Sequence, residues 1–343
     1  MGAFDGKTLA DRFRNHFGHT DHLYGALLAE MADDWEVGGV TREIFVGWED
    51  APARQFPQLR MLAGLFRIVL RGDAPQLEGF YPALGGDFDH HEAWAVVRPV
   101  LGAHAEELHE SLREAPQTNE PARTVALLVG LAEAVRRTGL RRVRLLEPGA
   151  SAGLGLLVDH YRFEGDGWAA GPQEAPLVVA SCGAAGFVPE AVEVVDRRGC
   201  DVAPVDAASE EGAAYLTSFV WPWQLDRHAR LAAALRVARE HPVVVDQAPA
   251  STWVAEQLAE PVDDGVLTVV WHSVTRLYWP AAETAATTAA VDEARGRLPV
   301  VHIALEHRWP AKGDEREPGM PLLTVDDDLV AVCDHHGPPV RLT

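Results

Sequence analysis

Residues 142–163 have the sequence RVRLLEPGASAGLGLLVDHYRF, which contains the clearest structural pattern of the chain. A short apolar run typical of a strand ends in an acid, Glu147. The glycine-rich turn 149–153 follows, and the apolar segment 154–161 is compatible with a helix. A strand, a turn of small residues and a helix form a βα unit, which presents backbone N–H groups and a helix N-terminus to a ligand. The stretch therefore predicts a ligand-binding βα unit.

The same turn also spells G-x-S-x-G, the nucleophile elbow of a serine hydrolase, with Ser151 as the nucleophile. Asp246 with either His272 or His307 would complete a triad in the required chain order. An elbow, however, follows several earlier strands of its sheet, whereas Ser151 follows the first predicted strand. The position of the turn favours the ligand-binding interpretation, and a hydrolase stays the alternative.

Strand-like and helix-like segments alternate from residue 141 onward, which is typical of a doubly wound, mainly parallel α/β sheet. The last two strands are joined by a short acidic link and predict an antiparallel hairpin at one sheet edge. The predicted strands are 142–147, 176–181, 192–198, 242–246, 266–272, 299–305, 322–325 and 329–333. The predicted helices are 153–161, 210–218, 226–240, 250–259 and 281–297.

Residues 1–140 instead carry apolar side chains at helical spacing and predict an all-helical N-terminal domain, which we expect to form a lid or pocket wall for a substrate. The α/β domain is expected over residues 141–343. No apolar run approaches the length of a membrane span, and the N-terminus lacks the pattern of a signal peptide. We therefore expect a cytoplasmic protein without a membrane partner.

The net charge of −21 disfavours nucleic acid as a partner, because phosphates and carboxylates repel each other. The three cysteines form no CxxC pair, so neither a disulfide framework nor a thiolate metal site is expected. Histidines cluster near residues 16–22, 89–92 and 335–336, but without an HExxH pattern. We expect them to be solvated, and we expect no catalytic metal.

The segment Glu147-Pro-Gly149-Ala-Ser151-Ala-Gly153 resembles the first motif of class I S-adenosylmethionine methyltransferases, E/D-x-G-x-G-x-G, with serine in place of the middle glycine. The resemblance implies that Glu147, Gly149, Ser151, Ala152 and Gly153 hold the methionine part of that cofactor. The acid would receive the ammonium group, and the small residues would let the backbone approach it closely.

Two later segments extend this resemblance. The segment GCDVAP (199–204) looks like the G-x-D-x-S-P that ends the second strand in many methyltransferases. Asp201 would accept hydrogen bonds from the ribose hydroxyls, with Asp206 as the second candidate. Asp246 ends the strand in PVVVDQA (242–248) and would lie near the adenine amino group.

The acceptor side is predicted from two segments. In LTVVWHSVTRLYW (267–279), Trp271, His272 and Ser273 end a strand, and ligands bind outside the carboxyl ends of strands in open α/β sheets. His272 is a candidate general base near neutral pH. In QTNEPAR (117–123), either Thr118 or Asn119 would cap a helix. The candidates for lining a substrate pocket there are Gln117, Asn119, Glu120 and Arg123, with Glu120 and Arg123 as candidate catalytic residues.

Taken together, the chain resembles an uncharacterised bacterial family with a Rossmann-like, methyltransferase-like core. The matching segments are 117–123, 145–163, 197–206, 219–231 and 271–279. The resemblance implies a helical part fused to a Rossmann-like methyltransferase sheet, but no settled activity. We expect S-adenosylmethionine-dependent methyl transfer to a small-molecule substrate. The alternatives are a serine hydrolase and a cofactor-binding module without catalysis.

Overall fold

A computed structural model describes residues 8–52, 55–117, 119–307 and 319–343. The described chain divides into two compact units. The N-terminal unit comprises residues up to 117 together with 213–228, and the C-terminal unit comprises the other described residues. Within the described residues, every helix is too short or too polar to cross a lipid bilayer.

The helices follow the apolar periodicity of the sequence. They are α1 (Leu9–Phe17), α2 (Leu23–Glu36), α3 (Val40–Ile44), α4 (Pro57–Leu70), α5 (Ala93–Ala103), α6 (Ala105–Ser111), α7 (Thr124–Thr138), α8 (Glu210–Ser218), α9 (Leu225–Glu240), α10 (Ala250–Ala259) and α11 (Ala281–Ala294). The division between the two units falls within α8 and within α9.

The N-terminal unit is helical wherever its secondary structure is regular. Helix α1 begins with a capping box, in which Thr8 and Asp11 satisfy each other's backbone N–H groups. Helix α4 begins with Pro57, whose missing N–H is no loss in the first helical turn. The apolar faces of these helices enclose a continuous core that includes Leu27, Leu62 and Phe66. Burial of this core stabilises the unit, because apolar surface leaves water.

The C-terminal unit contains an eight-stranded sheet and a three-stranded sheet, counted over the described residues. The strands are β1 (Arg142–Pro148), β2 (Arg162–Gly165), β3 (Trp168–Ala170), β4 (Val178–Val179), β5 (Glu193–Asp201), β6 (Val245–Gln247), β7 (Val266–Ser273), β8 (Val300–His307), β9 (Pro321–Val325), β10 (Asp328–Asp334) and β11 (Gly337–Leu342). The order in the larger sheet is β11-β10-β9-β8-β7-β1-β5-β6. Strands β8, β7, β1, β5 and β6 pair in parallel, and β9 to β11 continue the sheet with antiparallel pairs.

Helices cover both faces of the parallel strands. Leu146 of β1 and Val270 of β7 share an apolar cluster with Trp253 of α10. On the other face, α7 packs so closely on β8 that a Cβ at Gly130 would lie 2.5 Å from Cγ2 of Ile303. Glycine at this position therefore lets the helix approach the sheet. Strands buried on both faces are continuous apolar runs, which is why the sequence predicted β7 and β8 well.

The predicted mixed α/β fold is confirmed in its main features: a mostly parallel main sheet, antiparallel C-terminal strands and a helical N-terminal region. Several details differ. The predicted helix 153–161 is a 3-10 segment over Leu154–His160, and the predicted strand 176–181 is the two-residue β4 of the smaller sheet. Strands β2, β3 and β11 were not predicted, and β11 rather than the β9–β10 hairpin forms the sheet edge.

Helix α7 has an apolar surface that is buried within the C-terminal unit, although its sequence lies in the segment predicted as the helical domain. Its residues contact β8, β9 and β11. A mainly parallel sheet needs helices on both faces, and α7 supplies this cover next to the antiparallel strands. The boundary between residues 140 and 141 stays a prediction.

Candidate functional site

The glycine-rich turn after β1 folds onto the end of β5. The backbone N–H groups of Gly149 and Ala150 donate to the carbonyl oxygen of Cys200, at 2.7 and 2.9 Å. Gly149 has a φ of +76°, and a Cβ there would lie 2.5 Å from Cγ2 of Thr275. Both its conformation and its surroundings therefore require glycine. A Cβ at Gly153 would meet a similar obstacle in Val243.

Asp201, at the end of β5, holds this turn in place. Its Oδ2 accepts a hydrogen bond of 2.9 Å from the backbone N–H of Ser151, and its Oδ1 accepts one of 2.9 Å from Ala203. Each carboxylate oxygen has a second lone pair, so the half-buried group still has acceptor capacity. Asp201 can thus support the turn and receive a ligand hydroxyl.

Glu147 lies at the end of β1 and is only 6% exposed. Its Oε1 accepts a hydrogen bond of 3.1 Å from the indole N–H of Trp271, which is itself buried in β7. Its Oε2 is buried and has no hydrogen-bond partner among the described residues. A Cβ at Gly155 would lie 2.4 Å from Oε1, so the segment after the turn covers the carboxyl group closely.

Burial raises the pKa of Glu147 to about 8, because a charged carboxylate is poorly solvated there. The hydrogen bond from Trp271 opposes this rise, and the negative charge of Asp201 adds to it. The side chain is therefore mainly protonated near neutral pH. A cation placed beside it would shift the equilibrium back toward the carboxylate.

Ser151, within the turn itself, also has a buried polar atom without a partner among the described residues. Its Oγ is buried and has no hydrogen-bond partner in the described part of the chain, and its φ of +55° is uncommon for serine. Buried polar atoms in native proteins are nearly always paired with protein, water or ligand. Two such atoms, one on Ser151 of the turn and one on Glu147 of β1, therefore lie close together in the sequence at this strand end.

A cleft of about 310 Å³ opens beside the turn, a volume at the small end of the range for ligand sites. Ala152 of the turn and Asp206 after β5 both line it. The rest of its wall is mainly apolar and includes Pro204, Val205, Ala207, Ala208, Ala238, Pro242, Val243 and Val245. The cleft therefore combines a mainly apolar wall with one exposed acid, Asp206.

His272 belongs to a buried polar cluster. It is 1% exposed, its Nδ1 lies 2.7 Å from Oε1 of Glu306, and its Nε2 lies 3.0 Å from Nε2 of His302. Glu306 also accepts hydrogen bonds from the backbone N–H groups of Thr275 and Arg276. Both ring nitrogens of His272 thus face protein groups.

The charges in this cluster follow from its contacts. Burial favours the neutral form of Glu306, but the hydrogen bonds and charge of His272, with the Thr275 N–H, hold its pKa below the usual value. Burial and the neighbouring His272 lower the pKa of His302 well below its usual value. We infer that Glu306 is ionised and that His302 is neutral, with His272 in contact with both. Neither residue was predicted from the sequence, although two polar residues four positions apart in the apolar strand β8 are unusual enough to be noticed.

Asp246 is the middle residue of β6, not its last residue as the sequence predicted, and forms an ion pair with Arg198. The two carboxylate oxygens accept from the guanidinium at 2.7 and 3.0 Å, and Oδ2 also accepts from the indole N–H of Trp253 at 2.7 Å. The hydrogen bond from Arg198 lowers the pKa of this carboxyl group. The part that Asp246 plays toward a ligand stays a prediction.

The segment 119–123 lies beside the turn. Asn119 donates from its amide nitrogen to the carbonyl oxygen of Ala150 at 3.0 Å, which ties this segment to the turn. Glu120 is buried and accepts from Arg230 at 3.2 Å, while the buried Arg123 donates to the carbonyl oxygen of His335 at 3.1 Å. Of these three hydrogen bonds, the one from Asn119 is the one that connects the segment to the turn.

Two further candidates lie elsewhere. Ser273 is half-buried at the end of β7, next to His272 in the chain. Gln117 is half-buried and belongs to the N-terminal unit. Thr118, the alternative cap, lies outside the described residues.

The hydrogen bonds of the described residues do not connect Ser151 with the histidine and the acid of a hydrolase triad. Asp246 pairs with Arg198 and Trp253, and His272 pairs with Glu306 and His302. His307 contacts the carbonyl oxygen of Gly319 and stacks on the ring of His335.

The fold and this turn define a mixed α/β protein whose mostly parallel sheet carries a glycine-rich loop after its first strand. The chain belongs to the family described as "Uncharacterized protein conserved in bacteria (DUF2332)", whose model matches residues 10–341. The predicted membership of an uncharacterised bacterial family is thereby confirmed. Among curated proteins, none matches the chain.

Proposed function

We propose that this chain binds S-adenosylmethionine at the carboxyl ends of β1 and β5 and transfers its methyl group to a small-molecule acceptor. The order of the parallel strands supports the proposal. Numbered along the chain, β1, β5, β6, β7 and β8 stand in the order 3-2-1-4-5, as in doubly wound Rossmann-like sheets. In such sheets ligands bind where the strand order reverses, which here is between β1 and β7.

The main support for the proposal is Oε2 of Glu147, next to a turn of small residues, which has no hydrogen-bond partner among the residues that the structure describes. The hydrogen bond between Glu147 and Trp271 spans the two strands at which the order reverses. A buried carboxyl group with one free oxygen suits the ammonium group of an amino-acid ligand, because opposite charges attract strongly away from water. Asp201 offers its remaining lone pairs to ribose hydroxyls, and the cleft beside Ala152 suits an apolar ring.

When bound, S-adenosylmethionine supplies an electrophilic methyl group. The chain's own contribution is then to hold the ligand and orient the acceptor, which lowers the entropic part of the barrier. His272, Glu120 and Arg123 are buried and contact other protein groups, so we assign them to positioning the loops around the site. Trp271 fixes the orientation of the Glu147 carboxyl group.

Isothermal titration calorimetry with S-adenosylmethionine and S-adenosylhomocysteine tests the proposal on the full chain. We expect saturable binding of both ligands by the wild type, and affinity reduced at least tenfold in Glu147→Gln, which keeps the shape of the side chain. Glu193→Gln is the matched control, because Glu193 is exposed at the opposite end of β5. Absence of binding by the wild type overturns the cofactor assignment, and equal affinities in the two variants overturn the role of Glu147.

A further inference from the structure

The N-terminal unit brings three potential metal ligands together outside the site described above. Asp89, His90 and His91 each offer one ligand atom, and these atoms lie within 4.8 Å of one another. Asp89 and His91 are exposed, and His90 is half-buried. The rings of the two histidines are 4.3 Å apart and tilted by 41°. Three neighbouring residues thus direct two imidazoles and one carboxylate toward the same region.

The surroundings of His90 favour metal binding. Its Nε2 lies 3.0 Å from the carbonyl oxygen of Thr20, and because a carbonyl oxygen only accepts, Nε2 must carry the hydrogen. The lone pair of the neutral ring is then on Nδ1. Histidines that bind metals commonly donate their other ring N–H to a backbone carbonyl, which fixes the tautomer and the ring orientation.

The two histidines also line a concave surface. A small cleft of about 70 Å³ is bordered by both imidazoles, by Glu30 of α2 and by Trp94 of α5. Glu30 is exposed at this rim. A second carboxylate at the rim adds negative charge where a cation would sit. The cleft is large enough for a metal ion that keeps one or two water ligands.

We propose that Asp89, His90 and His91 form a binding site for a divalent transition metal of the zinc type. Imidazole nitrogens with a carboxylate oxygen are a ligand set that Zn²⁺ and its neighbours in the first transition row accept. Zinc ligands about 2.1 Å from the ion are roughly 3.4 Å apart in a tetrahedron, so modest rotations of these side chains close the site. Because the cleft also contacts α2 through Glu30, the bound ion would link the turn at residues 89–92 to that helix.

Titration of the untagged, metal-free full chain with Zn²⁺ tests this site by calorimetry, and Co²⁺ provides an absorption spectrum that reports the coordination geometry. We expect one equivalent to bind, with affinity reduced more than tenfold in His91→Gln and in Asp89→Asn. Binding should weaken on acidification, since metal ions and protons compete for the imidazole lone pair. In the wild type, Zn²⁺ should also raise the melting temperature, because a ligand of the folded state stabilises it.

His104→Gln is the matched control, since His104 belongs to the same unit but pairs with Glu107 at the start of α6. This variant should bind Zn²⁺ like the wild type. Circular dichroism of each variant confirms that it is folded. If Zn²⁺ fails to bind, or if the His91→Gln and His104→Gln chains bind it equally well, the site is excluded.

Discussion

Glu147 is a carboxyl group that folding transfers almost completely out of water, and this has a consequence for stability. Its pKa is about 8 in the folded chain against 4.5 for the free side chain. Between these values the folded state binds the proton more tightly than the unfolded state. The free energy of unfolding contributed by this group is therefore complete below about pH 4.5 and is lost as the pH rises through 8.

From this we predict that the wild type loses roughly 3 kcal/mol of stability between pH 5.5 and 8.5 relative to Glu147→Gln, because glutamine has no proton to lose. Urea unfolding of both proteins at the two pH values measures the difference. The other titrating groups are the same in both proteins, so their contributions to the pH dependence of stability cancel in the difference. Parallel pH profiles for the two proteins would show that Glu147 is ionised in the folded state without cost.

The glycine-rich turn is the element on which the candidate site depends, and its glycines can be tested against a matched position. Gly149 and Gly139 have nearly the same left-handed φ, +76° and +73°. A Cβ at Gly149 meets Thr275 at 2.5 Å, whereas a Cβ at Gly139 has nothing within 4 Å. An alanine would therefore strain the backbone at both positions, but only at position 149 would its Cβ also collide with a neighbouring side chain.

We predict that Gly139→Ala costs about 1 kcal/mol, the penalty for alanine in the left-handed region. Gly149→Ala should cost a further 1–3 kcal/mol, because Thr275 must move to admit the methyl group. Denaturant unfolding of both variants gives the two values. If the two variants lose the same free energy of unfolding, Thr275 can move aside without loss of stability. The steric contact between Thr275 and the turn would then be unimportant.

At the level of elements, the apolar runs of β1, β7 and β8 identify the central strands because both faces of these strands are buried. Strand β11 was missed because it contains Pro338 and Pro339, and proline is compatible only with the edge of a sheet, where β11 lies. Short strands such as β2 and β3 have too few residues for alternation to be recognised.

The candidate site was predictable only where its residues are local in sequence. The turn, Glu147 before it and Asp201 at a strand end follow from motif spacing, and the structure joins the turn to Asp201 through the Ser151 N–H. The pairing of His272 with Glu306 depends on the register of β7 against β8 and on side-chain rotamers. No pattern of neighbouring residues reveals this register, so the sequence indicated His272 but not its contact with Glu306.

Across the whole molecule, carboxylates outnumber basic side chains by 51 to 30. Arginines already pair with many acids, as in the contacts of Arg14 with Asp33 and Glu36. The excess carboxylates repel one another more strongly in the compact folded state than in the expanded unfolded chain. Dissolved salt screens this repulsion, with a Debye length that shortens from about 30 Å at 0.01 M to about 10 Å at 0.1 M.

We therefore predict that the melting temperature rises by a few degrees between about 0.01 and 0.3 M NaCl at pH 8, because screening relieves a repulsion that is greater in the folded state. At pH 5.1, the isoelectric point of the sequence, the net charge is near zero and the same change of salt should have little effect. KCl should act like NaCl, since screening depends on ionic strength rather than on ion identity. If the melting temperature rises equally at both pH values, the salt acts on the apolar core instead, because salts that strengthen apolar burial do so irrespective of the protein's charge.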